Sequence, residues 1–149
     1  MKELNFKEQS DKNLTHIRDA KNIVLATCTN GHVTTRLVGH LLQGHTILFS
    51  TGIGSYKVEQ IRQNPQVAFF LDGLNIEATA SLCGHPDTHP TFKKLYVAKY
   101  PEYVSTYGSN PEDVVVSANI QKIQIYSYED GAGKIIIDFN EERAYRIEL

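Results

Sequence analysis

Long apolar runs are absent from this 149-residue chain: none approaches the roughly 18 residues that a membrane-spanning helix requires. The N-terminal stretch MKELNFKEQSDKN lacks the apolar core of a secretory signal. Cysteine is scarce. Cys28 and Cys83 stand far apart in no paired motif, which fits reduced thiols in a cytoplasmic protein rather than a disulfide framework. Neither sign of charge dominates. The 15 Lys and Arg against 17 Asp and Glu leave a net charge of −2, so neither nucleic acid nor an anionic membrane is suggested as a partner. No linker, internal repeat or low-complexity segment divides the sequence. What is there is an ordinary globular composition, 41% hydrophobic and 21% charged, over a length that suits a single domain, residues 1–149, with its own core.

The hydrophobic pattern predicts mainly β structure with peripheral helices. Leu4 to Lys21 reads as a surface helix with a thin apolar stripe at Leu14 and Ile17. Ile23 to Thr29 is a strand. Asn30-Gly31 after it is a strong hairpin signal, because a type I′ turn needs positive φ at both central positions. In the returning strand, alternation places Val33, Thr35, Leu37, Gly39 and Leu41 on one face and Thr34, Arg36, Val38, His40 and Leu42 on the other. Thr46 to Thr51 follows a turn at Gln43-Gly44-His45, so the first three strands are predicted to form an antiparallel meander. Ser55 then caps a short helix, with Val58 and Ile61 inward, that stops at Asn64-Pro65.

Gln66–Leu71 and Asn75–Cys83 are strands around an Asp72-Gly73 turn, the second with Ile76, Ala78, Ala80 and Leu82 inward. Thr88 to about Tyr107 is helical, interrupted at Pro101. Val114–Tyr128, bent near Asn119, pairs with Lys134–Phe139, and the tail from Arg143 adds a short strand. Short strands joined by connections too short for crossover helices predict an antiparallel barrel rather than a parallel α/β sheet.

The stretch from Thr34 to Pro65 concentrates the chemistry. The Ser50-Thr51 pair, the Gly52-Ile53-Gly54 loop, and Ser55 and Lys57 at a helix start can together meet an anion. A helix N-terminus offers unpaired N–H groups and a partial positive charge. Lys57 in the first turn opposes the helix dipole unless an anion sits there, and Arg36 adds a forked donor from the neighbouring strand. The plain alternative is that Ser55 only caps, Lys57 is solvated and Arg36 pairs with a carboxylate.

Thr34-Thr35-Arg36-Leu37-Val38, a strand ending Leu48-Phe49-Ser50-Thr51, then Gly54-Ser55-Tyr56-Lys57 and a helix closing on Asn64-Pro65-Gln66-Val67: this order resembles the pyridoxamine 5′-phosphate oxidase-like family of FMN-binding split barrels. The resemblance is dense from about Ile23 to Val67 and thinner beyond. It implies a split antiparallel β-barrel, FMN as cofactor, and a homodimer with FMN in the groove between two barrels. It implies Arg36 at the FMN phosphate or ribityl chain, the backbone of Leu37 and Val38 at the flavin edge, Ser50 and Thr51 at the flavin or its phosphate, and Ser55 and Lys57 at the phosphate.

The chain also departs from the oxidases of the pyridoxamine phosphate pathway. Tyr56 stands where they carry a basic residue and Leu41 where they carry a further lysine. Their substrate-binding arginine and serine segment has no counterpart near Tyr96–Ser109, and the chain has no tryptophan to match their C-terminal motif. The implied activity is therefore that of a flavin-dependent oxidoreductase acting on an unidentified small substrate, with the hard chemistry supplied by the cofactor. The alternative is a non-enzymatic binding or redox-sensing protein of the same fold, holding flavin, haem or deazaflavin.

Other residues suggest less. His85 with His89, and His40 with His45, lack a third ligand at metal spacing, so no metal site is expected. Tyr96, Tyr100, Tyr103 and Tyr107 read as a packing face, and Cys28 as a small buried hydrophobe.

Overall fold

Strand alternation decides which side chains meet inside this molecule. The computed structural model describes residues 1–106 and 110–149. In chain order it contains β1 (Lys2–Leu4), α1 (Phe6–Asp19), β2 (Asn22–Thr29), β3 (His32–Gly39), β4 (Leu41–Gln43), β5 (Thr46–Gly52), α2 (Tyr56–Gln63), β6 (Gln66–Leu71), β7 (Leu74–Leu82), α3 (Pro90–Lys99), β8 (Asp113–Ser127), β9 (Gly133–Asp138) and β10 (Arg143–Glu148). The two Asx-Gly turns adopt the left-handed backbone that their sequences predict. Asn30 and Gly31 have φ of 50° and 77°, and Asp72 and Gly73 have 46° and 85°. They close the β2–β3 and β6–β7 hairpins.

Every strand ladder is antiparallel, in the order β1-β10-β9-β8-β7-β6-β2-β3. The long strand β8 makes the split. One of its edges pairs with β7, while the other is shared: Asp113–Asn119 binds β5 and Lys122–Ser127 binds β9. Gln121 is the extra residue of a bulge at this division, since Glu77 pairs with Lys122 but Ala78 with Ile120. The bend expected near Asn119 is this bulge.

The predicted meander is corrected at His40. The second strand breaks there into β3 and β4, and β5 pairs with β4 and β8 but not with β3. The cause is Tyr100. Its hydroxyl accepts the His40 backbone N–H at 3.0 Å and donates to the Lys21 carbonyl at 2.7 Å, which removes that N–H from any ladder. Gly39 makes room for it, because a Cβ there would lie 3.4 Å from the tyrosine oxygen. Alternation slips with the break, so that His40 and Leu41 are both buried. The β4–β5 register, continued past His40, would bring Gly39 to Ser50 and Leu37 to Gly52. No ladder forms there, and the barrel stays open along a seam between β3 and β5.

The core inside the barrel includes Ile23, Leu25, Val38, Ile47, Phe49 and Phe69. A second cluster, with Leu41, Leu48, Phe92, Tyr100 and Val115, lies under α3 on the other face of β5. Fully burying each large apolar side chain contributes about 1.5–3 kcal/mol. Ile76, Ala78 and Ala80 of β7 are buried as the alternation predicts. α1 is shorter than its pattern suggests and is capped by Asn5, and the three residues before the cap form β1 against β10. Cys28 is half-buried rather than buried, and Cys83 is exposed; both are free thiols. Among the described residues no helix is long and apolar enough to cross a membrane. Tyr107 of the predicted tyrosine face lies outside the described residues.

Candidate functional site

The inward face of β2 and β3 turns polar where it meets α2. Ile23 and Leu25 are followed on that face by Thr27, and in the β2–β3 register Thr34 stands opposite Thr27 and Arg36 opposite Leu25. α2 buries Val58, Gln60 and Ile61. It is tied to β2 by Thr29 Oγ1 donating to the Gln60 carbonyl at 3.2 Å and Asn64 Nδ2 donating to the Cys28 carbonyl at 3.0 Å.

Arg36 is held by hydroxyls, not by a carboxylate. Its Nη1 donates to Thr27 Oγ1 at 2.8 Å and, more weakly, to the Leu25 carbonyl at 3.4 Å. Its Nη2 donates to Thr34 Oγ1 at 2.6 Å. Among the described residues no acidic side chain pairs with it. Burial lowers the Arg36 pKa. Lys57 is also pushed down, first by burial and then by the nearby charge of Arg36. Among the described residues no hydrogen bond or ion pair compensates the Lys57 amine.

Ser55 occupies the N-cap of α2 with extended backbone angles, yet its side chain makes no capping bond. Its Oγ is buried and has no hydrogen-bond partner among the described residues. An N-cap serine ordinarily accepts an N–H from the first turn. Here the orphan hydroxyl, the unpaired first-turn N–H groups and two uncompensated cations lie around one helix start, an arrangement that an anion would satisfy.

Ser50 and Thr51 do not converge on one point. β5 sends Thr51 to the same face as Ile47 and Phe49, toward the barrel interior, and Ser50 to the face of Leu48, toward α3. Ser50 lines a cleft of about 500 Å³ together with Gly39, Leu41, Phe92, Tyr96 and Tyr100. Three of the tyrosines form one aromatic wall: Tyr96 to Tyr100 is 5.3 Å between centroids and Tyr100 to Tyr103 is 6.2 Å. Leu37 points outward and is 66% exposed, while Val38 points into the core. Among the described residues β3 carries a ladder on its β2 edge only, so alternate main-chain groups near Leu37 and Val38 face the seam without a ladder partner.

The histidines serve the fold. His85 Nδ1 accepts the Asp87 N–H, and His89 Nδ1 accepts the Phe92 N–H at the start of α3. His45 stacks on Phe139. His40 is fully buried and its Nε2 donates to the Ile17 carbonyl at 2.6 Å.

The family model described as pyridoxamine 5′-phosphate oxidase matches residues 10–127. The chain belongs to this family. Solved structures of the same split-barrel fold include General Stress Protein 26 from Bacillus anthracis, at 19% identity and a TM-score of 0.63, covering 95% of this chain and 99% of that one. A pyridoxamine 5′-phosphate oxidase-related, FMN-binding protein from Nostoc punctiforme is similar at 14% identity and a TM-score of 0.62, covering 95% of each chain. The haem storage protein HutZ from Vibrio cholerae is similar at 10% identity and a TM-score of 0.62, covering 79% of this chain and 92% of that one. At such identities the likeness is one of fold. No curated protein matches the chain significantly.

Within the family frame, the residues missed from sequence are Thr27, Thr34 and Gln60. A signal was present for the first two. A threonine at the end of an inward apolar row, facing a second threonine across a two-residue hairpin, marks a polar patch inside a barrel. Gln60 carried none, because a glutamine beside Ile61 reads as the solvent side of a short helix.

Proposed function

We propose that the chain binds FMN along the β3–β5 seam and acts, as a homodimer, in flavin-dependent oxidation or reduction of a small substrate. One observation carries this: Ser55 Oγ, buried and without a partner among the described residues, sits at the start of the helix that carries Lys57, whose amine feels the charge of Arg36, and among the described residues no carboxylate pairs with either cation. Ser55, Lys57 and Arg36 fit a terminal phosphate, the dianionic end of FMN. The free edge of β3 at Leu37 and Val38 fits the polar rim of a planar ring, with Thr51 and Ser50 across the seam. When bound, FMN would supply the hydride-transfer chemistry. The chain's own residues bind and orient, and the tyrosine-walled cleft beside Ser50, which Lys21, Asn22 and Asp113 also line, offers room for a substrate.

The second copy fits the outer face of β3, β2 and β6. Leu37, Val24 and Phe70 form one row across these strands, and Val33 lies beside Cys28 four residues along, on the same face. Leu37 and Val33 are each 66% exposed and Phe70 is 48% exposed, an apolar sheet face of the kind that seeks a partner. A haem reading has less support, since none of the six histidines lines the cleft among its described residues.

The test is the absorption spectrum of the protein after incubation with FMN and removal of excess, with its mass in solution. A flavin spectrum at one FMN per chain in a dimer is expected. A colourless protein, or a Soret band without flavin, would overturn the FMN reading. Turnover of NADH or NADPH by the loaded protein separates the enzyme from a binding-only protein.

A further inference from the structure

Gln60 is 1% exposed, and every polar atom of its side chain is engaged. Its Nε2 donates to the His32 carbonyl at 3.3 Å. A carbonyl only accepts, so this bond fixes which way round the amide lies. Its Oε1 therefore faces the sheet, where it receives the hydroxyl protons of Thr27 at 2.6 Å and Thr34 at 2.9 Å. Each threonine has one proton. Once that proton is given to Gln60, each hydroxyl turns lone pairs to the Arg36 guanidinium, Thr27 to Nη1 and Thr34 to Nη2. With the amide reversed, the same hydroxyls would meet N–H groups on both sides.

The charge matters as much as the geometry. A glutamate at this place would accept the same three protons, although its second oxygen could not donate to the His32 carbonyl. It would also neutralise Arg36, whose Nη2 already lies 3.4 Å from Oε1. The amide holds the guanidinium beside Lys57 and leaves its charge available.

We propose that Gln60 is the positioning residue of the anion site: its neutral carbonyl oxygen orders the Thr27 and Thr34 hydroxyls, which hold Arg36 beside Lys57 without cancelling its charge. This rests on the reading of Ser55, Lys57 and Arg36 as the phosphate cradle.

The test is Gln60→Glu, with FMN, riboflavin and inorganic phosphate as probes and the melting temperature followed in parallel. The expected result is a lower melting temperature, from the lost bond to the His32 carbonyl, together with a loss of at least tenfold in affinity for FMN and for inorganic phosphate and riboflavin affinity close to wild type. A merely structural role would weaken FMN and riboflavin binding alike, which would overturn the proposal. Unchanged phosphate affinity would overturn it too. Where Gln60→Glu fails to fold, Thr34→Val decides: it removes one link at a half-buried site, and at least a threefold fall in the ratio of FMN to riboflavin affinity is expected, against no change if the relay is idle. A wild type that binds inorganic phosphate but no flavin would sink the FMN reading and leave the Gln60 comparison on phosphate standing. A wild type that binds none of the three overturns both.

Discussion

Two polar clusters in this molecule handle charge in opposite ways. Around His40, the side-chain donors meet backbone carbonyls: Lys99 Nζ donates to the His40 carbonyl at 2.6 Å, Tyr100 to the Lys21 carbonyl at 2.7 Å, and His40 Nε2 to the Ile17 carbonyl at 2.6 Å, while His40 Nδ1 is buried without a partner among the described residues. These bonds join α1, the β3–β4 break and α3, so the cluster is a latch between elements. Around Arg36, the nearest acceptors are two hydroxyls, with the Leu25 carbonyl and the Gln60 amide at 3.4 Å, the charge is left intact, and Ser55 Oγ and Lys57 face no partner among the described residues. The difference lies in the charge: the first cluster spends its donors on backbone carbonyls that tie elements together, and the second leaves two cations uncancelled beside an orphan hydroxyl.

The comparison can be broken most sharply with acid. Burial first, and the Lys99 charge after it, hold the His40 pKa down at about 4, against the opposing bond to Ile17. The unfolded imidazole titrates near 6.5, so between those values the unfolded state binds more protons than the folded one. Stability is then full above about pH 6.5 and falls as pH drops toward 4, by about 3 kcal/mol. Denaturant titrations across that range should show this slope, and His40→Met should flatten it. A wild type without the slope would mean that His40 is not buried neutral.

Next in size is Tyr100→Phe. It leaves the His40 N–H and the Lys21 carbonyl without their partner, and about 1–3 kcal/mol of stability should be lost in equilibrium unfolding. Ser55→Ala should behave in the reverse way. An ordinary N-cap serine contributes about 1 kcal/mol, but this hydroxyl makes no bond in the protein. The melting temperature of the apo protein should barely move, while FMN affinity falls by about tenfold or more through loss of a charge-assisted hydrogen bond. The smallest effect is expected from Lys57→Met. Removing one of two neighbouring cations should leave the apo protein as stable as before or slightly more so, because solvent screens the half-exposed amine. A clear loss of stability would show that Lys57 belongs to the latch type and not to the cradle.

How far the sequence carries depends on how local the cause is. The two Asx-Gly hairpins, the alternating burial of β7 and the inward Val58 and Ile61 of α2 each follow from a few neighbouring residues. The break at His40 does not, because it is made by a tyrosine 60 residues away. β1 escapes notice for the same reason: three residues become a strand only because β10 offers an edge. In the candidate site, Arg36, Ser55 and Lys57 are singled out by residue type and order alone. Ser50 and Thr51 were legible as neighbours, but the pleat sends them to different faces of β5. The ordering of Arg36 by Thr27, Thr34 and Gln60 needs three elements in register, and one sequence does not show that register.

The central claim is that Arg36 and Lys57 grip the phosphate of FMN. Its most direct test is a pair of fluorescence titrations, with FMN and with riboflavin, on the wild type and on Arg36→Met/Lys57→Met. Two charge-assisted contacts of about 1.5–3 kcal/mol each are removed, so FMN affinity should fall by about 100-fold or more, to the level of riboflavin, and riboflavin affinity should stay as it was. FMN affinity that survives the double substitution unchanged would contradict the claim.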